Sequence, residues 1–223
     1  IKSTVSDQSG ASTFEMIVDA YGALKAAAKH PRLDPDLIGI TGFSKGGSVA
    51  LRTALSSFAE RNAPGGPRFA LHVAFYPSCD SHYYRGNPTG APVFALLGGM
   101  DTYVGTEPCL EFTAKMKAAG AKIETIVYPN AQHGWDGVGR DWTVSSGENY
   151  SKCVFVEARD RSWTERTSGV KIVGSDGRPI AGAYDQAYAK CRTSGVSGGP
   201  DYETKLKSLE QLKSAMRDAL KLN

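Results

Sequence analysis

What the chain lacks narrows its chemistry. No run approaches the roughly 20 consecutive apolar residues of a membrane-spanning helix, so no membrane partner is expected. The net charge is only +3 over 223 residues. It is spread along the chain, with no basic cluster interleaved with aromatics, so nucleic acid is excluded as a partner class. No signal-peptide pattern is visible, although the start at Ile1 rather than Met predicts that a leader or a longer segment was removed. The four cysteines, Cys79, Cys109, Cys153 and Cys191, form no C-x-x-C pair, which argues against structural zinc and thioredoxin-type redox work. Neither a metal nor a cofactor is expected. Histidine is scarce as well: His30, His72, His82 and His133 are the whole supply.

The cysteines that are present are even in number and suggestively placed. Cys79 and Cys109 each follow a predicted strand, and strands adjacent in sequence are often adjacent in space. Cys153 and Cys191 bracket the C-terminal segment. Two disulfides place the chain in an oxidising, extracytoplasmic setting, periplasmic or secreted; four reduced thiols are the alternative.

Apolar periodicity divides the chain. Residues 12–30 read as a helix capped by Ser12 or Thr13, with Phe14, Ile17, Val18, Tyr21 and Leu24 as its stripe. Residues 37–41, 69–77, 91–99 and 121–129 read as strands, the first three buried and the last at an edge. Helices are predicted over 47–62 and 107–120, the latter with Pro108 near its start and Gly120 as its cap. Strands alternating with helices give an α/β fold with a parallel sheet flanked by helices. The texture turns polar and turn-rich near residue 150. We therefore expect a core over 1–149 and an appendage over 150–223 that ends in an amphipathic helix with Leu206, Leu209, Leu212, Met216 and Leu220 on one face.

Gly42-Phe43-Ser44-Lys45-Gly46 is a G-x-S-x-G string followed by Gly47. The string alone is weak, because Gly195-Val196-Ser197-Gly198-Gly199 matches too. Context separates them. Ser44 lies between a predicted strand and a predicted helix, the setting of a strained turn that exposes a nucleophilic hydroxyl. Gly42 and Gly46 would let neighbouring backbone pack closely, and the helix N-terminus would face a developing oxyanion. Ser197 has no strand before it and reads as a flexible loop.

A serine nucleophile needs a base, and the base an orienting acid. His30 ends a helix, His72 lies within a strand as a half-buried residue, and His82 sits in an unspecific loop. His133 directly follows the fourth strand, at the carboxyl edge where open α/β sheets place their sites. Asp101 follows the third strand and is the preferred acid, with Asp80 in reserve; Asp136 reads as a local turn residue. Tyr83, Tyr84, Tyr103, Trp135 and Trp142 lie in nearby loops, either lining an acyl pocket or packing on one another. Asn149-Tyr150-Ser151 is a glycosylation sequon, meaningful only in a eukaryotic secretory host.

Taken together, "GFSKGG", "LLGGMD" and "YPNAQHGWD" resemble the dienelactone hydrolase family of the α/β-hydrolase superfamily over roughly residues 14–145. The resemblance implies a Ser44–His133–Asp101 triad, with Ser44, Asp101 and His133 in the superfamily's chain order. It further implies an oxyanion donor at the backbone N–H of Lys45, whose side chain reaches solvent, and hydrolysis of a small-molecule ester or lactone through an acyl-enzyme. Dienelactone hydrolases proper carry cysteine at the nucleophile position, so Ser44 favours a serine esterase. A serine peptidase of the same fold and a catalytically silent binding scaffold are the alternatives. The superfamily pattern places about four strands before the elbow strand, so this chain corresponds to the C-terminal half of the usual core. An N-terminal segment or a partner is expected to cover the exposed edge.

Overall fold

The computed structural model describes residues 10–84 and 86–222. Helix α1 (Thr13–Ala27) starts at a reciprocal cap. The Ser12 hydroxyl accepts from the Glu15 N–H at 3.2 Å, and the Glu15 carboxylate accepts from the Ser12 N–H at 2.7 Å, satisfying two donors that a helix start leaves open. Ile17, Tyr21 and Leu24 are buried, whereas Phe14 and Val18 of the predicted stripe are exposed. The chain continues through β1 (Gly39–Phe43), α2 (Lys45–Arg52), α3 (Ser56–Asn62), β2 (Leu71–Phe75), β3 (Ser81–His82), β4 (Val93–Gly98), α4 (Glu107–Ala118) and β5 (Ile123–Tyr128). Strands β1, β2, β4 and β5 form one sheet in that order, every pair parallel. β5 is an edge, as its alternating pattern suggested, and β1 is the other; among the described residues no strand pairs with its outer side.

The C-terminal third adds β6 (Trp142–Asn149), β7 (Phe155–Glu157), β8 (Trp163–Glu165), β9 (Lys171–Val173), α5 (Ala183–Cys191), β10 (Thr193–Gly198) and α6 (Tyr202–Leu220). β6 and β10 pair as an antiparallel ribbon, irregular at Gly195, where φ is 95°. β3, β7, β8 and β9 form a second small sheet.

Both faces of the parallel sheet are covered, as such sheets require. On one face Ala74, Val93, Ala95 and Leu97 pack with side chains of α1, α2, α3 and α4. On the other, Leu71, Val73, Phe75 and Leu96 meet Trp135 and, from α6, Ala215, Met216 and Leu220. Period-two alternation along β2 and β4 assigns each residue to its face.

Three expectations change. The helix predicted over 47–62 breaks after Arg52, because the segment 87–89 docks into the gap: Ser56 N–H donates to Asn87 O, Thr89 N–H donates to Ala54 O, and Leu55 bridges Pro88. The loop expected around Ser197 is strand β10, held by ladder pairing with β6 rather than by apolar side chains. Helix α6 packs Leu212, Met216 and Leu220 of its predicted face on the core, but its fully buried residues are Thr204, Ser208 and Ala215, and Leu206 is exposed. Ser208 Oγ accepts from Trp135 Nε1 at 3.1 Å, and the small residues permit that close approach.

Cys79 is bonded to Cys109 and Cys153 to Cys191, across sequence separations of 30 and 38 residues, consistent with an extracytoplasmic location. No helix among the described residues is long and apolar enough to cross a membrane.

By the chain-entropy argument each disulfide contributes about 3–4 kcal/mol to stability. Urea unfolding of a Cys79→Ser/Cys109→Ser double variant should show a loss of that order, and an unchanged midpoint would refute it. His72, half-buried by expectation, is fully buried. Its Nδ1 lies 3.1 Å from both Ala50 O and Thr53 Oγ1, and burial pushes the imidazole down to about 4. An unfolded histidine titrates near 6.5, so the unfolded chain takes up the proton first. This contribution is complete above about pH 6.5 and is lost as pH falls toward 4. Between pH 7 and pH 5 the wild type should lose about 2 kcal/mol more stability than His72→Gln; equal losses would exclude His72 as the cause.

Candidate active site

Ser44 lies between the last residue of β1 and the first of α2, at φ 51° and ψ −117°, a conformation that costs a non-glycine residue on the order of 1–3 kcal/mol. Its N–H donates to Phe75 O at 3.0 Å, across the carboxyl edge of the sheet. The glycines permit this turn unequally. A Cβ at Gly42 would sit 2.2 Å from the Gly46 carbonyl oxygen, and one at Gly47 would sit 2.5 Å from Phe75 O. A Cβ at Gly46 meets nothing within 4 Å. Gly46 therefore contributes the backbone that Gly42 accommodates, and the close contact expected of its own missing side chain falls instead at Gly47.

The loops after β4 and β5 are interlocked by the same means. A Cβ on Gly98 would lie 2.6 Å from Ala131 O, and one on Gly99 would lie 2.6 Å from Pro129 O. Met100 N–H donates to Ala131 O at 3.0 Å. This brings Asp101 and His133 together: His133 Nδ1 is 2.8 Å from Asp101 Oδ2, and His133 Nε2 is 2.9 Å from Ser44 Oγ. Asp101 Oδ1 accepts from the N–H groups of Tyr103 and Val104 at 3.0 and 3.1 Å. Both carboxylate oxygens are thus engaged, in a side chain only 2% exposed; that of His133 is 7% exposed.

Two tyrosines grip the imidazole edge-on. The Tyr76 ring centroid is 4.7 Å from that of His133, and Tyr103 is 4.8 Å away on a second contact. Tyr76 follows β2 with φ 36°, and its hydroxyl donates to Asp136, giving Asp136 a tertiary partner beyond its turn. Burial, reinforced by the Asp136 carboxylate, pushes the Tyr76 hydroxyl far above the usual phenol range, so it remains a donor. Sequence reasoning passed over Tyr76. The signal was its place at the carboxyl edge of a central strand, just before Pro77.

The remaining candidates are engaged elsewhere. Asp80, the reserve acid, pairs with the buried Arg52 guanidinium. His82 is buried, with Nε2 3.1 Å from Pro108 O, and burial plus the Lys115 and Arg166 cations lower its pKa. The Lys45 ammonium reaches the Ala11 carbonyl instead of open solvent. Of the aromatics expected in loops, Tyr103 packs on His133, Trp142, which is instead the first residue of β6, packs on Tyr103, and Trp135 is buried against Tyr76. Tyr83 and Tyr84 line a separate cavity of about 350 Å³ with His82 and Lys115. Among the described residues no group of His, Cys, Asp and Glu is arranged to hold a metal.

Comparison with known proteins agrees with this architecture. Two structures of esterase 2 from Thermogutta terrifontis share the fold. The apo form aligns at 21% identity and TM-score 0.50, over 57% of this chain and 58% of that one. The form phosphoramylated by tabun aligns at 20% identity and TM-score 0.51, over 60% of each. The chain therefore spans less than two thirds of the length of these solved structures. No curated protein matches. The profile of the dienelactone hydrolase family matches residues 2–168, well over half of the sequence, and the chain belongs to the dienelactone hydrolase family.

Proposed function

We propose that this protein is a serine hydrolase that cleaves a small-molecule carboxylic ester or lactone through an acyl-enzyme on Ser44. The carrying observation is the continuous array Ser44 Oγ–His133 Nε2 at 2.9 Å and His133 Nδ1–Asp101 Oδ2 at 2.8 Å, set at the carboxyl edge of the sheet; family membership supports it. An alcohol is a poor nucleophile until a base takes its proton. His133 Nε2 accepts the Ser44 proton as Oγ attacks the acyl carbonyl. Asp101 holds the Nδ1–H tautomer and stabilises the imidazolium. The backbone N–H of Lys45, the residue after the nucleophile, donates to the oxyanion, aided by the positive end of α2. Collapse of the tetrahedral adduct expels the alcohol, which takes the proton from His133. Water then repeats the sequence against the acyl-enzyme and regenerates Ser44.

In this reading residues 1–149 carry the chemistry, 150–223 pack on them, and the protein works in the periplasm or outside the cell. Among the described residues no strand pairs with the outer edge of β1, which supports one further element, a strand from a partner or an additional segment that pairs there.

Incubation with a fluorophosphonate should give one adduct, mapped by mass spectrometry to Ser44. Ser44→Ala should abolish labelling and lower kcat for an aryl ester by about 10³-fold or more. A Ser44→Ala variant with full esterase activity would refute the proposal.

A further inference from the structure

The sequon residue Asn149 is only 7% exposed at the end of β6. Its Nδ2 donates to Thr102 O and to Gly195 O, both at 2.9 Å, and its Oδ1 accepts from Ser151 N–H at 3.0 Å. Both amide protons are spent, one on each side of a junction. Thr102 adjoins Asp101 and lies within the loop whose amides hold that carboxylate. Gly195 is the irregular point of β10. A glycan on Nδ2 would replace one of those protons and would need an exit from a buried position.

The same ribbon touches the other half of the array. Gly199, immediately after β10, donates its N–H to the carbonyl of His133 itself at 3.0 Å. A Cβ at Gly198 would lie 2.3 Å from that carbonyl oxygen. Asp201 N–H donates to Trp135 O at 2.9 Å, and Trp135 is tied in turn to Ser208 of α6. The second G-x-S-x-G string is thus a backbone surface shaped to the His133 loop. Asp101 and His133 come from different loops, and the ribbon is bonded to both.

We propose that Asn149 is a positioning residue for the Ser44 site, fixing the Asp101 loop to the β6–β10 ribbon, whose far end is bonded to the His133 loop. The separation of Asp101 and His133 is then set by a third body, and the carboxamide is the fastener on the acid's side. This inference rests on the roles proposed for Ser44, His133 and Asp101.

The test compares wild type with Asn149→Ala, Asn149→Asp and Ser151→Ala. The carboxylate introduced by Asn149→Asp keeps the shape and the acceptor but cannot donate to the two carbonyls. Ser151→Ala destroys the sequon and leaves the carboxamide intact. For an aryl ester, both Asn149 variants should lose about 10- to 100-fold in kcat, the scale of a displaced catalytic group, with KM within about twofold, while Ser151→Ala matches wild type. The pH profile of kcat/KM should differ from wild type in both Asn149 variants, because the carboxylate that faces the imidazole is displaced; loss of stability alone would not change it. Independently of turnover, the downfield proton resonance of His133 Nδ1–H should be present in wild type and Ser151→Ala and be shifted or lost in both Asn149 variants. Retention of that resonance and of the wild-type pH profile in both Asn149 variants would overturn the inference. An equal defect in Ser151→Ala would overturn it as well. A wild type that shows the resonance yet neither labels with fluorophosphonate nor turns over would instead refute the proposed function.

Discussion

The absence of a side chain at Gly42 lets α2 begin directly beyond β1, where a Cβ would lie 2.2 Å from the Gly46 carbonyl oxygen. Much else depends on that clearance. It lets the chain reverse within a single residue, so the strain of the reversal falls on Ser44 and lifts its hydroxyl toward the space above the sheet. It also brings the N-terminus of α2 beside that hydroxyl. Two further clearances, at Gly98 and Gly99, let the neighbouring loops close on each other. The site is assembled by backbone passing backbone at distances that only glycine allows, and the side chains that matter are delivered by those crossings.

Such close assembly creates a problem of buried polarity. Asp101 and His133 are almost fully withdrawn from water, and an ionised carboxylate in such a place is costly unless every oxygen is satisfied. Two backbone amides and the imidazole supply that satisfaction. The tyrosines on either contact of His133 exclude water and restrict the ring's rotation. The buried Arg52 guanidinium meets the same problem by pairing with Asp80, which remains partly exposed.

Much of this was legible in the sequence. The parallel sheet, its β5 edge, the Cys79–Cys109 pair and the placing of Ser44, Asp101 and His133 at one end of the sheet follow from periodic apolar runs and from residues placed just after strands; the β1 edge follows only from the family resemblance, and Cys153–Cys191 from the two cysteines bracketing the C-terminal segment. What escaped were features with no local signature. The break after Arg52 is imposed by residues 87–89, remote in sequence. β10 is a strand because β6 lies beside it; its own Gly- and Ser-rich string has the composition of a loop. Helix α6 packs Leu212, Met216 and Leu220 of its leucine stripe on the core, but its N-terminal half buries Thr204 and Ser208, the latter bonded to a tryptophan N–H, and leaves Leu206 exposed. In each case a tertiary partner outweighs intrinsic preference.

The Cys153–Cys191 bond joins the segment just after β6 to the residue just before the turn into β10, so it staples the base of the ribbon whose far end lies on the His133 loop. That has a consequence for biogenesis. Synthesis proceeds from the N-terminus, and Ser44, Asp101 and His133 are all made before the residues that brace them. Until residues 142–199 are made, the loops that carry Asp101 and His133 lack the hydrogen bonds that Asn149 and Gly199 give them. The contacts that tie the two loops to one body therefore form last, and the covalent closure at the base of the ribbon secures the part of the chain that makes them.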